Sequence, residues 1–193
     1  MIKKSKNLEI LKRNINQSIQ NLNDIKSEKY TKTIMDVFKI CQKAIKNENK
    51  IIFCGNGGSA GDSQHLTAEL VSKFLKNRKP LPAISLTTNT STLTSIGNDF
   101  GYKYIFSKQL SAIGKKGDVL FAISTSGKSE NIIEVLKIAK QKNIKTILMT
   151  GNEIKEKTNC DIVLNVPAKR VDRIQEMHIL VGHTICELIE NEI

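Results

Sequence analysis

CGNGGSAGDSQHLTAEL, residues 54–70, takes the chain from an apolar run that begins at Ile51 into a glycine-rich turn and then into a helical pattern. The glycines are Gly55, Gly57, Gly58 and Gly61. Glycine adopts positive φ and lets the backbone approach a ligand closely, and the amides of a helix N-terminus favour an anion. A tight turn without a ligand is the alternative interpretation. Four glycines in seven residues, together with Asn56 and Ser59, exceed what a turn requires, so we predict a ligand-binding loop.

The chain after residue 50 repeats this order of strand and helix. Apolar runs of strand length are IIFCG from Ile51, AISL from Ala83, DVLFAIS from Asp118, IKTILMT from Ile144 and DIVLNV from Asp161. Strands that are apolar on both faces and alternate with helices predict a doubly wound α/β fold, with a five-stranded parallel sheet sandwiched by helices. Ligands of such sheets bind beyond the carboxyl ends of the strands. Here those ends lead into the loops after Cys54, Leu86, Ser124 and Thr150.

Residues 1–49 have a different composition, rich in lysine, asparagine and isoleucine, with apolar residues at helical spacing. One set is Leu8, Leu11, Ile15, Ile19 and Leu22, and the other is Ile34, Val37, Phe38, Cys41 and Ala44. Steps of three and four residues place each set on one face of a helix, so we predict an N-terminal helical hairpin. We expect these faces to pack on the core or on a second subunit, and we treat residues 1–193 as one domain.

Composition limits the class of protein. The sequence contains no apolar run of about eighteen residues and no apolar segment of a secretory signal, so we expect a cytoplasmic protein without a membrane partner. The formal charge of +11 comes from scattered lysines without a basic block, and only 5% of residues are aromatic. This pattern favours a solvated surface that attracts anionic metabolites, and we expect no nucleic-acid partner. The widely spaced cysteines are interpreted as reduced packing groups: Cys41, Cys54, Cys160 and Cys186.

Two common phosphate loops are excluded. A relaxed dinucleotide fingerprint fits from Gly55 onward, but the strand from Ala83 is followed by no acidic residue for a ribose. SGKS from Ser126 lacks the upstream glycine of a P-loop. STSGKS, residues 124–129, nevertheless follows a strand and precedes a helix, and its hydroxyls, flexible glycine and free amides predict a cradle for a phosphate monoester. Serine-rich capping is the alternative, although one hydroxyl is enough for a cap.

His65 and Glu69 lie four residues apart, on one face of the helix predicted after the glycine loop. This spacing can chelate a metal ion or pair a base with its partner, whereas an isolated pair is usually an ordinary surface contact. The ligand loop immediately upstream favours a functional pair. The last predicted helix, VDRIQEMHILVGHTICELIE from Val171, places polar groups among apolar ones. Its spacing does not decide whether His178 or His183 is catalytic.

Four ordered motifs resemble those of the phosphoheptose isomerases. They are GNGGSAGDSQHLTAEL, AISL with TTNTSTLTSIGNDF, STSGKSENI and DRIQEMHILVGH, and they span nearly the whole chain. The resemblance implies the SIS phosphosugar-binding fold, a flavodoxin-like sandwich preceded by a helical hairpin. It also implies conversion of sedoheptulose 7-phosphate to D-glycero-D-manno-heptose 7-phosphate through an enediol, an early step toward the heptose of bacterial lipopolysaccharide or capsule.

Transferred residue by residue, the resemblance assigns roles within these motifs. Substrate contacts fall on Asn56, Gly57, Gly58, Ser59, Glu69, Asn98, Asp99, Ser124, Thr125, Ser126, Ser129, Asp172 and Gln175. Ligands of one zinc ion per subunit fall on His65, Glu69, Gln175 and His183. Glu69 and His183 would be the acid/base pair, because ketose–aldose exchange moves a proton between adjacent carbons. His178 would then be a structural or surface residue.

The implied ligand set poses a geometric difficulty, because Gln175 and His183 stand about 12 Å apart along a straight helix. At that spacing, the two side chains could not readily bind the same metal ion. The resemblance also implies a homotetramer with active sites at subunit interfaces, in which a neighbouring chain could complete the site.

Two functions without catalysis stay open at this point. Some relatives with this fold bind a replication initiator, and a sugar-phosphate sensor would bind its ligand without turnover. Neither has a chemical need for the full set of His65, Glu69, Gln175 and His183, so the presence of that set favours an enzyme.

Overall fold

Helices and strands alternate along the described residues, 2–151 and 160–193, of a computed structural model. The helices are α1 (Ile2–Asp24), α2 (Glu28–Lys46), α3 (Gly58–Val71), α4 (Thr90–Phe100), α5 (Ser107–Ile113), α6 (Glu130–Gln141) and α7 (Val171–Glu192). The strands are β1 (Ile51–Gly55), β2 (Ala83–Ser85), β3 (Val119–Ile123), β4 (Lys145–Thr150) and β5 (Ile162–Asn165). A short 3-10 helix, Tyr102–Tyr104, follows α4. The predicted hairpin and strands are confirmed, and four strands are one or two residues shorter than their apolar runs.

The sheet has the order β2-β1-β3-β4-β5, and every neighbouring pair of strands is parallel. All residues of β1 and β3 are buried, as their continuous apolar sequences require in a sheet covered on both faces. The strand order reverses between β1 and β3. The glycine loop after β1 and the serine-rich loop after β3 therefore flank the crevice where ligands of doubly wound sheets bind.

Alternate strand residues supply two cores, one on each face of the sheet. Phe53 and Phe121 belong to the core formed with α2, α3 and α7, and their ring centroids lie 5.3 Å apart. Ile52 and Leu120 belong to the core formed with α4, α5 and α6. The first core attaches α3 and α7 to the same face, and these two helices carry the histidines that the resemblance assigns to the site.

The two N-terminal helices differ in burial. α2 buries Val37, Phe38 and Cys41 against the sheet, as predicted. None of residues 5–24 in α1 is buried, and its apolar stripe is 39–55% exposed. The stripe is thus not covered within one chain, and the expectation that it packs on the core or on a second subunit stays a prediction. The stripe consists of Leu8, Leu11, Ile15, Ile19 and Leu22.

The cysteines are free thiols, and three of them, Cys41, Cys54 and Cys186, are buried. Burial raises the pKa of Cys54 well above its ordinary value, as expected of a packing group. Among the residues that the structure describes, no helix combines the length and the apolarity needed to cross a bilayer.

Candidate active site

The glycine loop passes from β1 into α3, and two of its positions require glycine for different structural reasons. Gly57 precedes α3 with φ of 55°, a conformation that residues with a Cβ rarely adopt. At Gly58, a Cβ would overlap the side-chain amide of Gln175 on α7. The loop therefore brings the first turn of α3 directly against Gln175, in the N-terminal part of α7.

The amide of Asn56 is held by two neighbours. Its Nδ2 donates to Oδ1 of Asn131 at 2.9 Å, and Nδ2 of Asn131 donates back to Oδ1 of Asn56 at 2.8 Å. The hydroxyl of Tyr102 donates to the same Oδ1 at 2.9 Å. Because an amide oxygen has two lone pairs and an amide nitrogen has two protons, one N–H of Asn56 has no partner among the described residues. Asn131 is 2% exposed and ties the glycine loop to the helix after the serine-rich loop.

The serine-rich loop is ordered by its own hydroxyls. The amide of Gly127, with φ of 65°, donates to Oγ of Ser124 at 3.1 Å, and the amide of Lys128 donates to Oγ of Ser126 at 3.2 Å. Ser129 is the N-cap residue of α6, yet its side chain forms no capping hydrogen bond with any residue that the structure describes. Simple capping therefore does not account for this hydroxyl, which stands beside the free amides of a helix N-terminus.

A cluster of two imidazoles and one carboxylate forms where α3 and α7 lie side by side. Nε2 of His65 is 2.8 Å from Nε2 of His183 and 3.1 Å from Oε1 of Glu69. The three potential ligand atoms all lie within 4.8 Å of one another. Such a set suits zinc, which takes nitrogen and oxygen ligands and in catalytic sites often has three protein ligands and one open position. We call these residues the His65–Glu69–His183 cluster.

Comparison with known proteins identifies the family. Residues 14–151 match the SIS domain. The chain is 51% identical over 170 residues to a phosphoheptose isomerase from Clostridium acetobutylicum, covering 88% of this chain and 87% of that protein. This chain belongs to the phosphoheptose isomerase family.

Two solved phosphoheptose isomerases share the whole fold with this family member. The enzyme from Francisella tularensis superposes with a TM-score of 0.90 at 34% identity, covering 96% of this chain and 98% of its own. The enzyme from Neisseria gonorrhoeae gives a TM-score of 0.87 at 38% identity, covering 95% and 98%. The expected SIS fold is thus confirmed over nearly the full length.

Gln175, the fourth zinc ligand that the resemblance implies, lies on α7 and apart from the cluster. Its side-chain amide packs against Gly58 at the start of α3, whereas His65 follows Gly58 by seven residues, or about 10 Å along α3. The helices run in the same direction, since Leu66 likewise meets Gly182. The spacing problem seen in the sequence therefore persists in one chain, and the role of Gln175 as a ligand stays a prediction.

Three more predicted contacts lie at two other places. Asn98 and Asp99 are exposed on α4 and pair with each other, Nδ2 to Oδ1, at 2.8 Å. Asp172, at the start of α7, forms an ion pair with Arg170 at 2.6 Å and a longer one with Arg173. Their roles as substrate contacts stay predictions.

Sequence reasoning overlooked several residues around this site. Phe74 stacks on His183 with ring centroids 5.4 Å apart and an angle of 22° between the planes, and no motif pointed to it. Asn131 stands inside the quoted STSGKSENI, but its partner is distant in sequence.

Asp62, one turn before His65, has one buried oxygen without a partner among the described residues, and burial raises its pKa to about 6. His178 is 0% exposed, so the surface alternative for it is wrong.

Proposed function

We propose that this chain isomerises sedoheptulose 7-phosphate to D-glycero-D-manno-heptose 7-phosphate. The observation that carries the proposal is the meeting of His65 with His183, which is 118 residues distant, and with Glu69. A carboxylate and two imidazoles in one cluster are the groups that proton transfer needs. Relatives named phosphoheptose isomerase match this chain over most of its length, which supports the choice of substrate.

Glu69 and His183 act as the acid/base pair. One group removes a proton from carbon 1 of the ketose, and the other protonates the carbonyl oxygen on carbon 2, which gives the enediol. The proton then returns to carbon 2 while the hydroxyl on carbon 1 gives up its proton, which leaves the aldose. Carboxylate and imidazole groups can serve as donor and acceptor in turn near neutral pH.

One zinc ion per subunit would be held by the His65–Glu69–His183 cluster, with Gln175 as a further ligand. When bound, zinc would polarise the substrate oxygens as a Lewis acid. The half-exposed His65 keeps the cluster open to a ligand, since 51% of its side chain is accessible, whereas that of Glu69 is 19% accessible.

The phosphate is held at the serine-rich loop. The amides at the start of α6 and the hydroxyls of Ser124, Thr125, Ser126 and Ser129 bind the anion, and the oxygens of Ser124 and Ser126 also accept amides of the loop. On the other side of the crevice between β1 and β3, the second N–H of the Asn56 side chain donates to an oxygen of the sugar. Asn98, Asp99, Asp172 and the glycine-loop residues Gly57, Gly58 and Ser59 complete the substrate contacts.

The working unit is a homotetramer with its sites at subunit interfaces. The exposed apolar stripe of α1 supports this assembly, because a contiguous apolar surface of that kind is usually covered. A neighbouring subunit also resolves the distance between Gln175 and the cluster. Sugar phosphates are intracellular metabolites, so we place the reaction in the cytoplasm, where its product supplies heptose for lipopolysaccharide or capsule.

Replacement of Glu69 by Gln tests the proposal. The variant keeps the size of the side chain and removes its basicity, so we expect about 10²- to 10⁴-fold less conversion of sedoheptulose 7-phosphate. Product formation is followed by chromatography of the sugar phosphates. Glu187→Gln, at an exposed position of α7, is the matched control and should leave turnover unchanged.

The outcomes separate the competing functions. Undiminished turnover by folded Glu69→Gln protein would refute the assignment of Glu69. A wild-type protein that binds the sugar phosphate without forming aldose would be a sensor. The initiator-binding alternative predicts no turnover, and the complete His65–Glu69–His183 cluster argues against it.

A further inference from the structure

A buried carboxylate holds the loop between α3 and β2. Glu190, near the end of α7, is 5% exposed. Its two oxygens accept hydrogen bonds of 2.8–3.2 Å from the amides of Phe74, Leu75 and Lys76 and from Nε of Arg78. Successive backbone amides around one anion form a nest, and four bonds satisfy both carboxylate oxygens. Burial alone would raise the pKa of Glu190, but these donors lower it, so the group stays ionised.

The partner of Glu190 ties the same loop to the end of α3. Nη2 of Arg78 donates to the carbonyl of Glu69 at 2.7 Å, and Nη1 donates to the carbonyl of Leu70 at 2.9 Å. Nη1 also reaches the carbonyl of Ser72 at 3.2 Å. A cation at a helix C-terminus satisfies carbonyls that have no partner in the helix. The Arg78–Glu190 pair thus joins the ends of the two helices that carry the cluster.

The loop held in this way places an aromatic ring against the cluster. Phe74 lies nearly parallel to the imidazole of His183, while His65 meets that imidazole edge-on, with centroids 5.0 Å apart and planes at 63°. A ring packed flat against the imidazole opposes its rotation, because turning would drive one ring into the other. The orientation of Nε2 in His183 therefore depends on where the loop holds Phe74.

We propose that Phe74 is a positioning residue for His183 and that the Arg78–Glu190 pair sets the position of Phe74. The effect of Phe74 on turnover rests on the proposed function, in which His183 is an acid/base group. The effect of Phe74 on the orientation of the His183 ring does not depend on that function. Phe74 stacks on the imidazole, whereas the proposed phosphate site is the serine-rich loop after β3, so loss of the Phe74 ring should lower kcat and leave KM unchanged.

Kinetics of Phe74 variants test the effect on turnover. Phe74→Leu keeps an apolar side chain and removes the flat ring that packs on His183. Because a catalytic group misplaced by about 1 Å can lower the rate about 10²-fold, we expect kcat to fall about 10- to 100-fold. Phe74→Tyr keeps the ring and should restore kcat to within about twofold of wild type. Leu75→Ala, in the same loop but 64% exposed, is the control. Unchanged kcat in Phe74→Leu overturns the proposal, as does an equal loss in Phe74→Tyr.

Proton NMR of the imidazoles, without substrate, tests the effect on the orientation of the ring. The chain has three histidines, so His183 can be assigned with one His183→Gln variant. Phe74→Leu should move the His183 signals and leave those of His178 in place, because only His183 loses the ring current. Glu190→Gln and the milder Arg78→Lys should also move the His183 signals, although both retain Phe74. Identical His183 signals in wild type and Phe74→Leu overturn the proposal, whether or not the wild type is an active isomerase. Absence of isomerase activity in the wild type would contradict the proposed function alone.

Discussion

Acidification from pH 7 to pH 5 should weaken the fold through His178. The ring is 0% exposed on the inner face of α7, and within residues 2–151 and 160–193 neither ring nitrogen has a hydrogen-bond partner of good geometry. Burial lowers its pKa from 6.5 to about 4, although the nearby carbonyl of Thr150 acts in the opposite direction. The unfolded chain restores the ordinary pKa. Between pH 6.5 and pH 4 the unfolded state therefore binds more protons than the folded state, so stability falls as the pH falls.

The two pKa values determine the size of this effect. With 6.5 in the unfolded chain and about 4 in the folded one, proton linkage predicts a loss of about 2 kcal/mol in the free energy of unfolding between pH 7 and pH 5. Asp62 acts in the opposite sense over part of this range. Burial raises its pKa from 3.8 to about 6, so its folded-state carboxyl binds protons before the unfolded one does. The contribution of His178 must therefore be measured as a difference between variants.

Urea unfolding of His178→Met at pH 7 and pH 5, at one protein concentration, isolates that contribution. Methionine fills irregular core space and cannot be protonated, so the variant should lose about 2 kcal/mol less than wild type on acidification. Asp62→Asn removes the opposing group and should lose more than wild type. An equal loss in wild type and His178→Met would show that His178 is not the buried base we describe.

Two further predictions concern the loops. Asn131→Ala removes both amide bonds that orient Asn56. Loss of the one hydrogen bond proposed from Asn56 to the sugar, at about 1 kcal/mol, should raise the KM for the sugar phosphate about fivefold; steady-state kinetics with an unchanged KM would contradict this role. Gly58→Ala should displace the amide of Gln175 and lower both thermal stability and turnover. Gly61→Ala, where a Cβ meets open space on the same helix, is its control and should stabilise the protein by up to about 1 kcal/mol. Equal melting temperatures in the two alanine variants would refute the packing argument.

The strands and helices were predictable because their causes are local. IIFCG is apolar at every position, as a strand covered on both faces must be, and the observed β1 has those bounds. The burial of α2 followed from its spacing in the same way. α1 has equally regular spacing, yet its stripe is exposed in one chain, because periodicity shows which residues share a face and not what covers that face.

The candidate site was predictable only where its residues carry motifs. The loop after Thr150, one of the four expected at the ligand end of the sheet, lies outside the described residues apart from Gly151 and Cys160. Asn131, Phe74 and Glu190 could not be found, because each matters through a partner that the fold supplies. A buried glutamate in an amphipathic helix looks like any other glutamate in the sequence.

From sequence alone it follows that His65 and Glu69 share a helix face, because four residues make about one turn of an α-helix. The amino-acid order also determined where glycine frees the backbone and which runs become strands. Tertiary structure decided that His183 completes the cluster and that Asn56 meets Asn131, since both contacts join segments far apart in the chain. The physical reason is that hydrogen bonding along a helix acts over four residues, whereas the packing of α3 beside α7 depends on apolar residues of several strands and helices that meet on one face of the sheet.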